Sequence, residues 1–116
     1  MIAACHPNDL HDIGLLIFSV RLALHGCKVY WLGARTPLQS LVECAQKVNA
    51  EVICISVTSE ISEKELLQYA KELRQGIPDT TKIYLGGRSI PHPPPIVPGI
   101  QFAVNHQTII ESIRKS

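Results

Sequence analysis

The sequence predicts a single α/β domain: a parallel sheet with helices on both faces. Three observations predict it. Segments of strand character alternate with segments of helical spacing along the chain. Residues 51–57 (EVICISV) form an almost continuous apolar run, as a strand covered on both faces requires. No repeat, charge block or linker divides the chain, and 116 residues suit one domain, taken as 1–116.

The elements follow in order. Residues 2–5 are a short apolar run, read as the first strand. Ile13, Leu16, Ile17, Val20 and Leu24 recur at helical spacing, and Gly26 stands where a glycine stops a helix. Residues 28–32 are β-rich through Val29, Tyr30 and Trp31. Thr36-Pro37-Leu38-Gln39 spells a capping box with proline at the first helical position. Leu38, Leu41, Val42, Ala45 and Val48 give that helix its apolar face. Ser62-Glu63-Lys64-Glu65 is a second capping box. It opens a helix that turns Leu66, Tyr69, Ala70 and Leu73 inward and ends at Gly76 and Pro78. Residues 82–85 and 100–104 are the fourth and fifth strands, and Ile109, Ile110 and Ile113 mark a last short helix. Prolines at 91, 93, 94, 95 and 98 remove backbone donors and fix φ. That stretch is read as an extended surface connection replacing a helix. Five strands so connected predict the flavodoxin-like, three-layer order 2-1-3-4-5.

Composition narrows the class of function. Apolar residues make up 46% and charged residues 18%, a globular balance. A net charge of +1 gives no field aimed at nucleic acid or an anionic membrane. No apolar run has the length of a membrane span. Cys5, Cys27, Cys44 and Cys54 show no CxxC spacing, and no secretory leader is visible. They read as reduced thiols in a cytoplasmic protein. Cys44 and Cys54 fall on apolar faces, whereas Cys5 lies near the expected site. Tyr30 and Trp31 read as packing residues.

In this fold ligands bind beyond the carboxyl ends of the strands, where strand order reverses. Three unusual segments stand there. Asp9 and His11 follow the first strand, two apart in a loop. A carboxylate can accept one imidazole proton and leave the other nitrogen free for a metal. Equally, Asp9 can cap the next helix, with His11 merely exposed. Asp12 reads as a first-turn helix charge. Ser56 and Thr58 end the third strand and offer two hydroxyls to a ligand or to a turn. Gly86 and Gly87 follow the fourth and allow close backbone approach, or simply a tight turn. Strands one, three and four are neighbours in the expected order, so the three segments converge.

Taken together, Asp9-x-His11-x-x-Gly14, Ser56-x-Thr58 and Gly86-Gly87 resemble the cobalamin-binding domain family and its D-x-H-x-x-G signature. The resemblance runs over essentially the whole chain. It implies cobalamin as cofactor, with His11 replacing the dimethylbenzimidazole base as lower axial ligand of cobalt. It implies Asp9 as the hydrogen-bond partner of His11. Gly14, Ser56, Thr58, Gly86 and Gly87 would line a slot for the nucleotide tail between the first helix and the sheet. Thr58 stands where the family often has leucine, and no helical bundle precedes the domain. Residues 32–38, together with Gly86-Gly87-Arg88 and the proline-rich stretch, look most like the sensor domain of MerR-type light-responsive regulators. Those regulators carry a bundle and a DNA-binding region upstream.

Other readings fit less well. His11-Asp12 also occurs in the HD phosphohydrolases, which are all-helical. A receiver domain needs a phosphorylatable aspartate after the third strand, where Ser56-Val57-Thr58 stands. His6 with His11 would make a small metal site, yet His6 before Pro7 reads as an exposed loop residue. The expectation is therefore a cobalamin-binding sensory module of a transcriptional regulator, not itself touching nucleic acid or membrane and not a complete enzyme. The alternative is the corrinoid-carrier domain of a methyltransferase.

Overall fold

The computed structural model describes residues 1–6, 13–26, 28–33, 36–57, 60–87, 89–91 and 93–103, with the backbone alone at 13–15 and 103. Its elements are β1 (Ile2–Cys5), α1 (Ile13–Leu24), β2 (Tyr30–Gly33), α2 (Leu38–Val48), β3 (Val52–Ser56), α3 (Glu63–Gly76), β4 (Lys82–Gly86) and β5 (Ile100–Ala103). All strand pairs are parallel, in the expected order β2-β1-β3-β4-β5. Right-handed crossovers running outward in both directions from β1 put α1 on one face and α2 and α3 on the other. The expected helix at Ile109, Ile110 and Ile113, and Val104 of the fifth strand, lie outside the described residues.

Alternation along the strands sorts the core into two layers. Ile2, Ala4, Ile53, Ile55, Val57, Ile83 and Leu85 pack against Leu41 and Ala45 of α2 and Leu66, Tyr69, Ala70 and Leu73 of α3. Ala3, Cys5, Val52, Cys54 and Tyr84 face Phe18 and Leu22 of α1. The spacing of Leu16, Ile17, Val20 and Leu24 does not mark the inner face of α1, because all four are exposed. The helix is apolar almost all round, so periodicity cannot choose a face. The aromatic ring of Phe18 takes the inner position instead. Trp31, expected to pack, is 41% exposed on the edge strand β2.

The two capping boxes behave differently. Ser62 caps α3 as expected, its hydroxyl accepting from the Glu65 amide at 3.1 Å. Thr36 does not cap α2. Its buried hydroxyl donates to the Gly33 carbonyl at 3.0 Å, and Pro37 becomes the N-cap with no side-chain bond. The end of β2 takes the hydroxyl before the helix can. Gly76 ends α3 without a left-handed turn. A Cβ there would stand 2.9 Å from a Val42 methyl, so the glycine serves the contact between α2 and α3. The proline-rich connection has a surface course at Ile96 but buries Ile90 and Val97 in the α3-side core.

Arg74 ties the far end of the sheet together. Its guanidinium donates to the carbonyls of Thr81 at 2.9 Å, Gly99 at 3.1 Å, Ile77 at 3.2 Å and Pro78 at 2.5 Å. It therefore joins the end of α3 to the start of β4 and the entry to β5. Bonds from a charged donor are the stronger kind, and a planar fork serves several acceptors that an ammonium cannot. Arg74→Ala is expected to cost about 2–3 kcal/mol in urea unfolding, and Arg74→Lys to recover less than half of that loss.

Candidate functional site

The register of the sheet builds the site. Cys5 pairs with Ser56, Ser56 with Gly86, and Gly86 with Ala103. These residues form one rank across the carboxyl ends of β1, β3, β4 and β5. Residues in one rank share a face, and Cys5 faces α1, so Ser56 faces α1 too. The rank behind it holds Ala3, Cys54, Tyr84 and Gln101. The outer rank is thus small, with a thiol, a hydroxyl and a bare glycine. It belongs to the face turned to α1, a helix whose second residue is Gly14. Strand order reverses between β1 and β3, so the crevice expected of this fold opens here.

Backbone bonds carry the rim past the strands. The His6 amide donates to the Ser56 carbonyl at 2.9 Å, and the Val57 amide to the Gly86 carbonyl at 2.7 Å. The Thr36 amide reaches the Cys5 carbonyl at 3.3 Å, tying the entry of α2 to the same edge. After β4, the Ser89 amide donates to Val57 and the Ile90 amide to Gly87, both at 3.2 Å. Gly87 has φ +118°, and a Cβ there would stand 2.4 Å from the Val57 carbonyl oxygen. Glycine at 87 is therefore demanded by the turn and by backbone contact, whatever else lies near it.

The structure brings together Ser56 and Gly86, with Gly87 one residue on and Gly14 in the first turn of α1. Asp9, His11, Asp12 and Thr58 lie outside the described residues. Cys5 is fully buried. His6, expected to be an exposed loop residue, is 6% exposed, and its ring packs on Tyr69 with centroids 4.6 Å apart at 59°. The signal was present in the sequence. Ile2, Ala4 and His6 alternate onto one face, and Tyr69 belongs to the inward stripe of α3. Among the described residues no group of three or more His, Cys, Asp or Glu is placed to hold a metal, and no helix is long and apolar enough to cross a membrane.

Burial pushes the Cys54 thiol up to about 12, while the positive N-terminus pulls the other way. The neutral thiol is the form the fold accepts beneath the rim.

The family described as B12 binding domain matches residues 1–94. The dimethylamine corrinoid protein of Methanosarcina barkeri is 35% identical over 83 residues, covering 69% of this chain and 38% of that protein. The HTH-type transcriptional repressor CarH of Myxococcus xanthus is 28% identical over 86 residues, covering 74% of this chain and 29% of the repressor. The structure of the M. barkeri monomethylamine corrinoid protein superposes with a TM-score of 0.80 at 19% identity, over 98% of this chain and 56% of that one. The chain spans well under two thirds of each of these proteins.

Two outcomes follow from the rim. Gly87→Ala is expected to destabilise the fold by about 1–3 kcal/mol in thermal or urea unfolding, because the positive φ and the Val57 carbonyl both oppose a side chain. For Cys54, the folded pKa lies above the unfolded one. Its contribution is fully present below about pH 9 and is lost as pH rises toward 12, at up to ~1.4 kcal/mol per pH unit. Urea unfolding at stepped alkaline pH should show a shallower decline for Cys54→Ala than for the parent.

Proposed function

We propose, for a chain that belongs to the B12 binding domain family and binds cobalamin, that His11 ligates the cobalt from below and that the domain is the sensory part of a regulator. In this reading His11 takes the place of the dimethylbenzimidazole base. Asp9 accepts the proton-bearing edge of the imidazole and so fixes the tautomer and orientation of the ring. Gly14, Ser56, Thr58, Gly86 and Gly87 would hold the displaced nucleotide tail. Bound cobalamin supplies a cobalt whose upper ligand can be exchanged or lost.

The observation that supports this reading is the outer rank of the sheet. Cys5, Ser56 and Gly86 carry small side chains or none, side by side on the face turned to α1. Such a floor carries little bulk between helix and sheet, and Ser56 adds a hydroxyl to it. Bulky aliphatic side chains in that rank would stand where the tail is proposed to lie. The residues present therefore fit the group.

The sensory reading draws on the resemblance to the repressor and on the short proline-rich link between β4 and β5. A second reading has its own support. The dimethylamine corrinoid protein is more similar in sequence than the repressor, at 35% against 28% identity, and a corrinoid-carrying domain serving a methyltransferase is the reading that goes with it. The two differ in what cobalamin does. Adenosylcobalamin should change the assembly state of a sensor, read as mass by light scattering in the dark and after illumination. A carrier should keep its mass and give up a methyl group from methylcobalamin to a partner methyltransferase. A cytoplasmic setting suits both.

Ligation is tested by titrating hydroxocobalamin and following the visible spectrum. The parent is expected to give the spectrum of a cobalamin with its own base displaced. Asp9→Asn should weaken binding about 10–100-fold, the usual effect of removing a partner of a metal-ligating histidine. His11→Ala should weaken it more and leave the cofactor's own base on cobalt. Equal losses for the two variants would contradict the assigned roles.

A further inference from the structure

We infer that His6 is a positioning residue for the cobalt-ligating loop, acting through its ring contact with Tyr69 on α3. The inference rests on the reading of His11 as the cobalt ligand. It goes beyond that reading by naming what holds the loop at its first end.

Residues 7–12, which include His11, stand in the sequence between two described points. One is the start of α1 at Ile13, and the other is His6, the last described residue before the loop. His6 is fixed in two directions at once. Its amide continues the β1–β3 ladder by donating to the Ser56 carbonyl at 2.9 Å. Its ring continues the side-chain alternation of Ile2 and Ala4 onto the α3 face, where it meets Tyr69. The tilted ring pair, 4.6 Å between centroids, is within the range where aromatic contact adds to burial. Both rings are buried, with His6 6% and Tyr69 8% exposed. Pro7 restricts His6 to extended backbone.

This anchor lies on the opposite face of the sheet from the expected tail slot. Cys5 and Ser56 face α1, whereas His6 and Tyr69 belong to the α3 side. A change at His6 therefore leaves the slot floor intact and alters where the loop starts. A metal bond to an imidazole tolerates little displacement of the ring, so a shifted loop origin should lower ligation before it lowers retention of the tail.

The test uses the whole chain labelled with ¹⁵N-histidine, loaded with cobalamin and reduced to the Co(II) form. Electron paramagnetic resonance then reads the axial nitrogen directly. A ¹⁵N ligand from the protein splits each cobalt line into two, and the ¹⁴N base of the cofactor splits it into three. The parent is expected to show the doublets, lost in His11→Ala. If the parent shows triplets, the reading of His11 fails, and this inference with it. Given doublets in the parent, His6→Ala should cut the histidine-ligated share relative to the other form about tenfold, the low end of what losing the orientation of a ligating histidine costs. His6→Phe keeps a ring against Tyr69 and should restore the doublets. Tyr69→Leu keeps an apolar filling without the ring and should behave like His6→Ala. Circular dichroism and thermal unfolding select the variants that retain the fold. Undiminished doublets in a folded His6→Ala or Tyr69→Leu protein would overturn the inference, as would failure of folded His6→Phe to restore them.

Discussion

The in-register parallel pairing of β1, β3 and β4 is the constraint on which the rest of the molecule depends. It aligns Cys5, Ser56 and Gly86 in one rank and repeats the alignment one rank behind with Ala3, Cys54 and Tyr84. A slip of one residue in β3 would turn Ser56 to the α3 side and bring Val57 under α1. Ile53, Ile55 and Val57 are all buried on the α3 side, so such a slip would cost the larger core. The hydrophobic pattern of one face thereby sets the chemistry of the other. His6 beyond β1, the turn beyond β4 and the entry of α2 are each hydrogen-bonded to this rim.

The two faces of the sheet divide the work. The α2 and α3 side carries most of the buried aliphatic residues, and it includes Ile90 and Val97 from the proline-rich connection. The α1 side holds a smaller cluster around Phe18, Leu22 and Tyr84. The outer residues on that side, Cys5, Ser56 and Gly86, are small, so the packing beneath α1 rests on Phe18, Leu22 and Tyr84 further back. The larger aliphatic layer lies on the face away from the expected tail. Arg74 strengthens the opposite end of the sheet from the rim, through carbonyls of three different segments.

Much of the fold was legible because each element carried its own local signal. The apolar run at 51–57, the Ser62 capping box and the prolines after β4 each have one physical reading, and the strand order follows from their alternation. The misreadings arose where two partners compete for one group or where a pattern is degenerate. The Thr36 hydroxyl had two acceptable uses, and only the position of Gly33 decides between them. The α1 sequence is apolar on nearly every side, so its inner face is set by packing rather than by period. Trp31 lies on an edge strand, which no local pattern reveals. At the site, the convergence of Ser56 and Gly86 was readable from strand order. The burial of His6 was missed because Pro7 suggested a loop, although strand alternation already pointed its ring at α3. The Asp9 and His11 pair was legible only as a resemblance, since two residues in a loop admit both a capping and a ligating role.

The central claim is that the small-residue rank beneath α1 receives the nucleotide tail of the cofactor. The most direct test compares equilibrium dissociation constants for hydroxocobalamin and for cobinamide, which has the same corrin ring but no nucleotide tail. The account predicts that the parent binds cobalamin at least tenfold more tightly than cobinamide, roughly 1.4 kcal/mol of tail binding. It predicts that folded Ser56→Leu protein, with the rank filled, loses that preference while retaining cobinamide. Equal affinity of the parent for the two corrinoids, or an undiminished preference in folded Ser56→Leu protein, would contradict it.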